Sequence, residues 1–364
     1  MEPITHFLTG ACLSRSGLNR KTALATTTLV LAAEAPDLDM LTYFRGSVYG
    51  FAHHRGITHS LVGIPLMAAV TVGLVYAVYR IAKRISPDPA GAEASAGVVH
   101  VGPPKTPRWG LLYGYACLAV ASHLLLDFTN NYGVRPFEPF FYKWYSWDIV
   151  FIFEPLLYVV LLGGLLLPSL FGLINDEIGV RRKQPRGRGG AILALLGMVA
   201  VWGVRDFEHR RAVSAMEARL YHDAEPLRVS AYPYPTNPFK WYGVAETQDF
   251  FAQVTVDSLT PDVDPQGRSL VRYKPEETPV TEAAKRTYLG QVYLDWAQYP
   301  MTESEAVQGS TPGYLVHFYD LRYMYPEREG TRTLGATLLL NSKLEEVQEW
   351  FGLPRQRPDL PLPW

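Results

Sequence analysis

His53-His54-Arg55-Gly56-Ile57-Thr58-His59-Ser60 runs without a break into Leu61-Val62-Gly63-Ile64-Pro65-Leu66, the start of an apolar stretch that reaches Ile81. About 20 apolar residues are needed to cross the hydrocarbon core of a bilayer, so Leu61 to Ile81 reads as a membrane helix. Three histidines and an arginine stand at its mouth. Imidazole is the commonest protein metal ligand, and ionisable groups at the end of an apolar span are costly unless something uses them. Pro36-Asp37-Leu38-Asp39 precedes this block and His123-Leu124-Leu125-Leu126-Asp127 follows it. The three groups together form one candidate metal site.

Moving outward, Gly110 to Phe128, Ile149 to Leu173 and Gly190 to Val204 are further apolar runs, giving four expected spans. Ile4 to Leu13 and Thr22 to Ala35 are shorter, and the basic turn Ser14 to Lys21 joins them. They read as a re-entrant or tilted helical hairpin. Glu2 and His6 stand where a signal peptide carries its basic region, so the N-terminus does not have that pattern. Cys12 and Cys117 both lie in apolar segments and form no paired-thiol motif, which argues against a structural disulfide or a Cys-based zinc site.

The chain has 364 residues, 48% of them hydrophobic and 19% charged, with a net charge of -1. That balance excludes an acidic disordered protein and a basic nucleic-acid binder, so no nucleic-acid partner is expected. The expected fold class is a multi-pass α-helical membrane domain over residues 1–205, followed by a small α+β soluble domain. Asp206 to Tyr221 reads as an amphipathic helix, and Ala231 to Pro238, with its Tyr-Pro pairs, as an extended linker, so that 206–238 connects the domains. From 239 to 364 the chain alternates short apolar and polar stretches. Phe250 to Val256, Ser269 to Tyr273, Tyr314 to Tyr323 and Thr333 to Leu340 are strand-like, which points to a mostly antiparallel sheet. No catalytic motif appears there, and its role is to cap the site or to bind a protein partner.

Lys and Arg set the orientation. Arg80, Lys83, Arg84, Lys105 and Arg108 fill one loop, and Arg181, Arg182, Lys183, Arg186 and Arg188 another, which makes both cytoplasmic. Pro36 to Ser60 and Thr129 to Asp148 hold few cations and belong on the other, non-cytoplasmic side, as does the C-terminal domain. This topology brings His6, Asp37, Asp39, the histidine block, His123, Asp127, Asp148 and Glu154 to one non-cytoplasmic layer. His123 and Asp127 are one helical turn apart and project from one face. His6 lies at the right depth for a ligand. Asp148 and Glu154 suit groups that orient imidazoles, although Glu154-Pro155 equally marks a helix start. Phe137 to Trp147 reads as an interfacial aromatic belt. His100, His209, His222 and His317 read as structural or solvated.

The order Thr5-His6 with Gly10, Pro36-Asp37-Leu38-Asp39, His54-Arg55-Gly56-Ile57-Thr58-His59-Ser60, then His123 to Asp127 with Thr129 and Gly133, resembles the YdjM-type inner-membrane proteins. These are described as LexA-regulated, membrane-bound metal-dependent hydrolases. The resemblance covers roughly residues 1 to 175, and the His-Arg-Gly-x-Thr-His-Ser block is its most specific part. The family is in turn distantly similar to zinc-dependent phospholipase C and single-strand nucleases. The resemblance implies that His54, His59, His123 and Asp127, with Asp37 or Asp39, are ligands of a divalent metal, zinc being expected. A second His-x-x-x-Glu helix pair is missing, with only Asp148 and Glu154 in its place, so a full three-ion site is not implied.

Such a site suits hydrolysis of a phosphoester or lipid-linked substrate at the outer membrane surface, with membrane lipid as the first partner. Arg55 would neutralise a phosphate oxygen or anchor a headgroup. The competing class is a non-enzymatic scaffold or transport component with a structural metal.

Overall fold

Small residues at the helix contacts explain how the N-terminal elements pack. The computed structural model describes residues 1–85, 106–177, 187–235, 237–307, 312–324 and 334–351. His100, Lys105, Arg181, Arg182, Lys183, Arg186 and Thr333 fall outside them. The chain divides into two compact units, one of Met1–Asp39 and Arg55–Val204, the other of Met40–His54 and Arg205–Trp364.

In the first unit, α1 (Pro3–Arg15) and α2 (Ala25–Glu34) form a helical hairpin, and the 3-10 segment Ala35–Arg45 begins directly after α2. Next come the 3-10 turn Ile57–His59, α4 (Gly63–Ile85), α5 (Trp109–Thr129), α6 (Pro155–Glu177) and α7 (Arg188–Glu217), the last ending in the second unit. The helix between, α3 (Ser47–His53), belongs to the second unit. The short α2 packs against α1, α4 and α5. Its face of Leu29, Ala32 and Ala33 meets Ala68 of α4 and Ala116, Ala119 and Val120 of α5, all buried. Alanine side chains let backbones approach closely, which is how helices associate where lipid offers no hydrophobic contrast. A second core joins Leu8 and Cys12 of α1 to Leu157 and Leu161 of α6 and to Ala194, Met198 and Trp202 of α7.

Three described helices, α4, α5 and α7, are long and apolar enough to cross a membrane. The four expected spans are corrected in one place. The run from Ile149 does not start a helix: Val150 bridges to Asn130, and α6 begins only at Pro155, where proline's fixed φ suits a first turn. From Pro155 the helix runs 23 residues to Glu177.

Polar contacts give the unit two distinct ends. Arg15 at the end of α1 donates to the Leu165 carbonyl (2.8 Å), Arg188 at the start of α7 to the Ser16 carbonyl (3.0 Å), and the Arg108 amide to Thr22 Oγ1 (2.8 Å). The basic α1–α2 turn therefore shares an end with the start of α5. The opposite end holds His6, the close of α2, the start of α4 and the close of α5.

The second unit is α+β. One sheet has the order β1 (Arg228–Pro233), β2 (Lys240–Glu246), β3 (Phe250–Asp257), β4 (Asp262–Val263), with β5 (Leu270–Tyr273) also on β3. The other is β6 (Pro300–Val307), β7 (Gly313–Asp320), β8 (Ala336–Asn341), β9 (Glu346–Phe351). Every pairing is antiparallel. Helices α8 (Pro279–Arg286) and α9 (Tyr288–Trp296) lie between the sheets in sequence. The expected linker is corrected too. Ala231, Tyr232 and Pro233 pair with Gly243, Tyr242 and Trp241, because proline closes an edge strand without breaking a ladder bond on its partner side. The expected amphipathic helix from Asp206 is the second half of α7.

Candidate metal centre

Four side chains converge at the end of the first unit where α2 and α5 stop and α4 starts. Asp37 comes from the 3-10 segment after α2, His59 from the turn before α4, and His123 and Asp127 from the last turns of α5. Each offers one ligand atom, and the four atoms lie within 4.8 Å of one another. His59 Nε2 is 3.0 Å from His123 Nε2, 3.3 Å from Asp37 Oδ1 and 3.2 Å from Asp127 Oδ2. His123 Nε2 is 3.5 Å from Asp37 Oδ1 and 3.3 Å from Asp127 Oδ2. Bonds of about 2.0–2.1 Å to a central ion would set tetrahedral ligand atoms about 3.3 Å apart, which matches this spacing.

The outer ring nitrogens decide the tautomers. His123 Nδ1 is 2.6 Å from the Ala33 carbonyl oxygen, which only accepts, so Nδ1 carries the hydrogen. His59 Nδ1 is 3.1 Å from Asp39 Oδ2 and makes the carboxylate–histidine contact found behind metal-bound imidazoles. Both Nε2 lone pairs then face the same point. At 3.0 Å two lone pairs repel unless a proton or a metal ion lies between them. Burial strengthens that demand: His59, His123 and Asp127 are fully buried, and Asp127 Oδ2 accepts no hydrogen bond. The Asp37 side chain alone keeps a solvent edge, being 20% exposed.

The surrounding groups hold these ligands in place. Asp39 Oδ2 accepts from the Arg55 amide (2.8 Å) and Thr58 Oγ1 (3.0 Å), tying the two ligand-bearing segments together. Arg55 is buried and donates to Asp127 Oδ1 (2.8 Å), Asn130 Oδ1 (3.2 Å) and the Gly133 carbonyl (3.0 Å), with its guanidinium over the Tyr132 ring. Its φ of 55° puts it in the left-handed region, a conformation that persists where surrounding contacts impose it. The Met1 amine also contacts Asp127 Oδ1. Ser60 Oγ accepts from the Gly63 amide (3.0 Å) and starts α4. A Cβ on Gly63 would come within 2.7 Å of the Thr58 carbonyl oxygen, so only glycine lets the helix begin this close to His59.

The expected site residues therefore separate. Asp37, His59, His123 and Asp127 form the ligand group, and Asp39 stands behind His59. His6 is fully buried, stacks on His123 with ring centroids 3.6 Å apart, and has Nε2 3.5 Å from Asp127 Oδ1, but it lies outside the group of four. His54 is not brought to it: the chain turns at Arg55, and the His54 ring lies edge-on to Tyr43 in the second unit. Arg55 grips a ligand. Asp148, with φ 59°, and the buried Glu154 precede α6 and are not members of the group. Thr58, Asn130 and the Ala33 carbonyl were not singled out from the sequence. Thr58 lay within the quoted block, whereas a backbone carbonyl leaves no sequence signal.

The profile of the family described as "YdjM inner membrane protein" matches residues 1–212. The protein described as "Uncharacterized protein YfhP" of Bacillus subtilis (strain 168) is 22% identical over 294 residues, covering 80% of this chain and 75% of its own length. No solved structure matches.

Proposed function

The chain belongs to the YdjM inner membrane protein family, and from that premise we propose that it is a membrane-bound, metal-dependent hydrolase cleaving a phosphoester or lipid-linked substrate at the outer face. The observation that carries the metal reading is the pair of Nε2 lone pairs facing each other at 3.0 Å with two carboxylate oxygens beside them. An N2O2 donor set accepts zinc, with manganese and iron as competitors. Such an ion lowers the pKa of coordinated water toward neutrality and polarises a phosphoryl oxygen. The protein's own part is orientation. Asp39 and the Ala33 carbonyl hold the imidazoles, Arg55 holds Asp127, and Asp37 presents the side open to solvent. The phosphate-neutralising role gives way to this one, because both Nη groups of Arg55 already serve Asp127, Asn130 and Gly133.

Outer-face placement is supported by Arg15, Arg108 and Arg188 at the opposite end of the unit, by the positive-inside rule. LexA control rests on the resemblance alone. A second reading, a closed structural metal in a scaffold, draws on the full burial of three of the four ligands. Metal analysis of the purified protein, beside hydrolysis assays on soluble and lipid phosphoesters, separates the two. Stoichiometric metal with metal-dependent turnover supports the hydrolase; metal whose removal unfolds the protein, without turnover, supports the scaffold.

A further inference from the structure

The loop that follows α5 carries an exposed aromatic tip on a tightly built base. Val134 and Tyr145 exchange backbone hydrogen bonds (2.8 and 2.9 Å), and the Trp147 amide donates to Phe128 at the end of α5 (2.8 Å). Arg135 pairs with Glu138 (3.2 Å) and lies over Trp144 (4.6 Å). The tip turns on Phe140 and Phe141 amides that both donate to the Phe137 carbonyl (2.9 and 3.1 Å). Out of this ordered turn Phe140 stands 73% exposed and Phe141 69%, with Phe137 and Tyr142 beside them also exposed. An aromatic cluster held outward by a fixed backbone needs something to cover it.

What covers it follows from what it adjoins. The Leu61 amide donates to the Pro136 carbonyl (2.9 Å), joining the loop to the exposed Leu61 ahead of α4. From there Leu66, Val70, Leu74 and Val78 are exposed at one-turn intervals along α4, a helix of membrane length. That stripe is a lipid-facing surface. The loop lies where α4 starts and α5 ends, the depth of the headgroups, where aromatic rings are favoured. It is also bound to the metal centre. Arg55 donates both to Gly133 of the loop and to Asp127, and Phe137 follows Gly133 by only four positions, at most about 14 Å of chain.

We infer that the Phe137–Tyr142 loop inserts into the bilayer interface and forms a membrane-embedded wall beside the metal centre, so that the site takes an amphiphile whose phosphoester lies at headgroup depth. The substrate class rests on the hydrolase reading; the insertion does not.

The test uses the full chain in phosphatidylcholine–phosphatidylglycerol vesicles, with Cys12→Ala, Cys117→Ala and Phe140→Cys carrying an environment-sensitive fluorophore. Quenching by lipid-borne nitroxides, with shielding from aqueous iodide, is the expected result. Quenching by iodide without nitroxide quenching overturns the inference, as does shielding from both at one protein per vesicle, which would mean that protein covers the tip. Phe140→Ser with Phe141→Ser should keep bound metal and turnover of a soluble phosphodiester while lowering turnover of a vesicle-borne one several-fold. Absence of any turnover by the unsubstituted protein would count against the hydrolase reading and leave the nitroxide result standing.

Discussion

At the scale of single residues, the site is a carboxylate cage that requires a cation. In the metal-free chain, burial alone would depress the His59 pKa, but Asp127, Asp37 and Asp39 outweigh it and push it up to about 10. A proton then stands where an ion would. An imidazole ligand must be neutral, so metal uptake displaces that proton, and apparent affinity should tighten as pH rises toward 10. In the same metal-free chain His59 contributes stability below its unfolded pKa of about 6.5, and loses it as pH rises through about 10. Zinc titrations in two buffers of different ionisation heat would detect the released proton; an uptake independent of pH would contradict the cage. Asp39→Asn keeps the shape but weakens the grip on His59, and should cost on the order of 10 to 100-fold in metal affinity. Arg55→Lys keeps the charge and loses the fork that reaches Asp127, Asn130 and Gly133 together, so metal affinity should fall with expression unchanged.

At the scale of elements, the apolar runs and the i, i+4 pair on α5 were legible because burial and periodicity are written in residue type. The short hairpin was legible for the same reason, and its close packing was hinted at by Gly10. A Cβ there would meet the Leu29 carbonyl oxygen at 2.9 Å and Val30 Cα at 3.1 Å, so Gly10→Val should separate α1 from α2 and cost roughly 1–3 kcal/mol. Thermal denaturation in detergent would measure it. Two elements were not legible. Ile149 to Phe153 is as apolar as a helix start, yet its backbone is claimed by bonds such as those of the Ile149 and Val150 amides to the Thr129 carbonyl. His54 shares its motif with His59, but a left-handed turn at Arg55 separates their surroundings, and only the backbone conformation tells them apart. Helix α5 should tolerate loss of the His123 imidazole, since Leu112, Ala116, Ala119, Val120, Leu124 and Leu126 still bury an apolar face. His123→Ala should accumulate in the membrane while losing metal; wild-type metal content would remove His123 from the ligand group.

At the scale of the whole molecule, the chain order hides a partition that no local pattern announces. Between Asp39 and Arg55, which brace the ligands, the segment Met40–His54 leaves the first unit and completes the second. Phe51 is buried there, with ring centroids 5.0 Å from Trp296 and 4.2 Å from Phe351. The sequence reading assigned this stretch to a loop beside the metal site, because its contacts lie more than 230 residues away in the chain (Phe51 to Trp296, 296 − 51 = 245). Its ends are pinned to each other within the first unit by the Arg55 amide on Asp39 Oδ2. A defect in the segment's middle should therefore be felt in the second unit and not at the metal. Phe51→Ala removes the aromatic anchor and should destabilise the α+β unit by about 3–5 kcal/mol, read as protease sensitivity beyond residue 205. Bound metal should stay at the wild-type level. Loss of metal with the C-terminal unit still protease-resistant would mean that the Asp39–Arg55 clasp does not hold on its own.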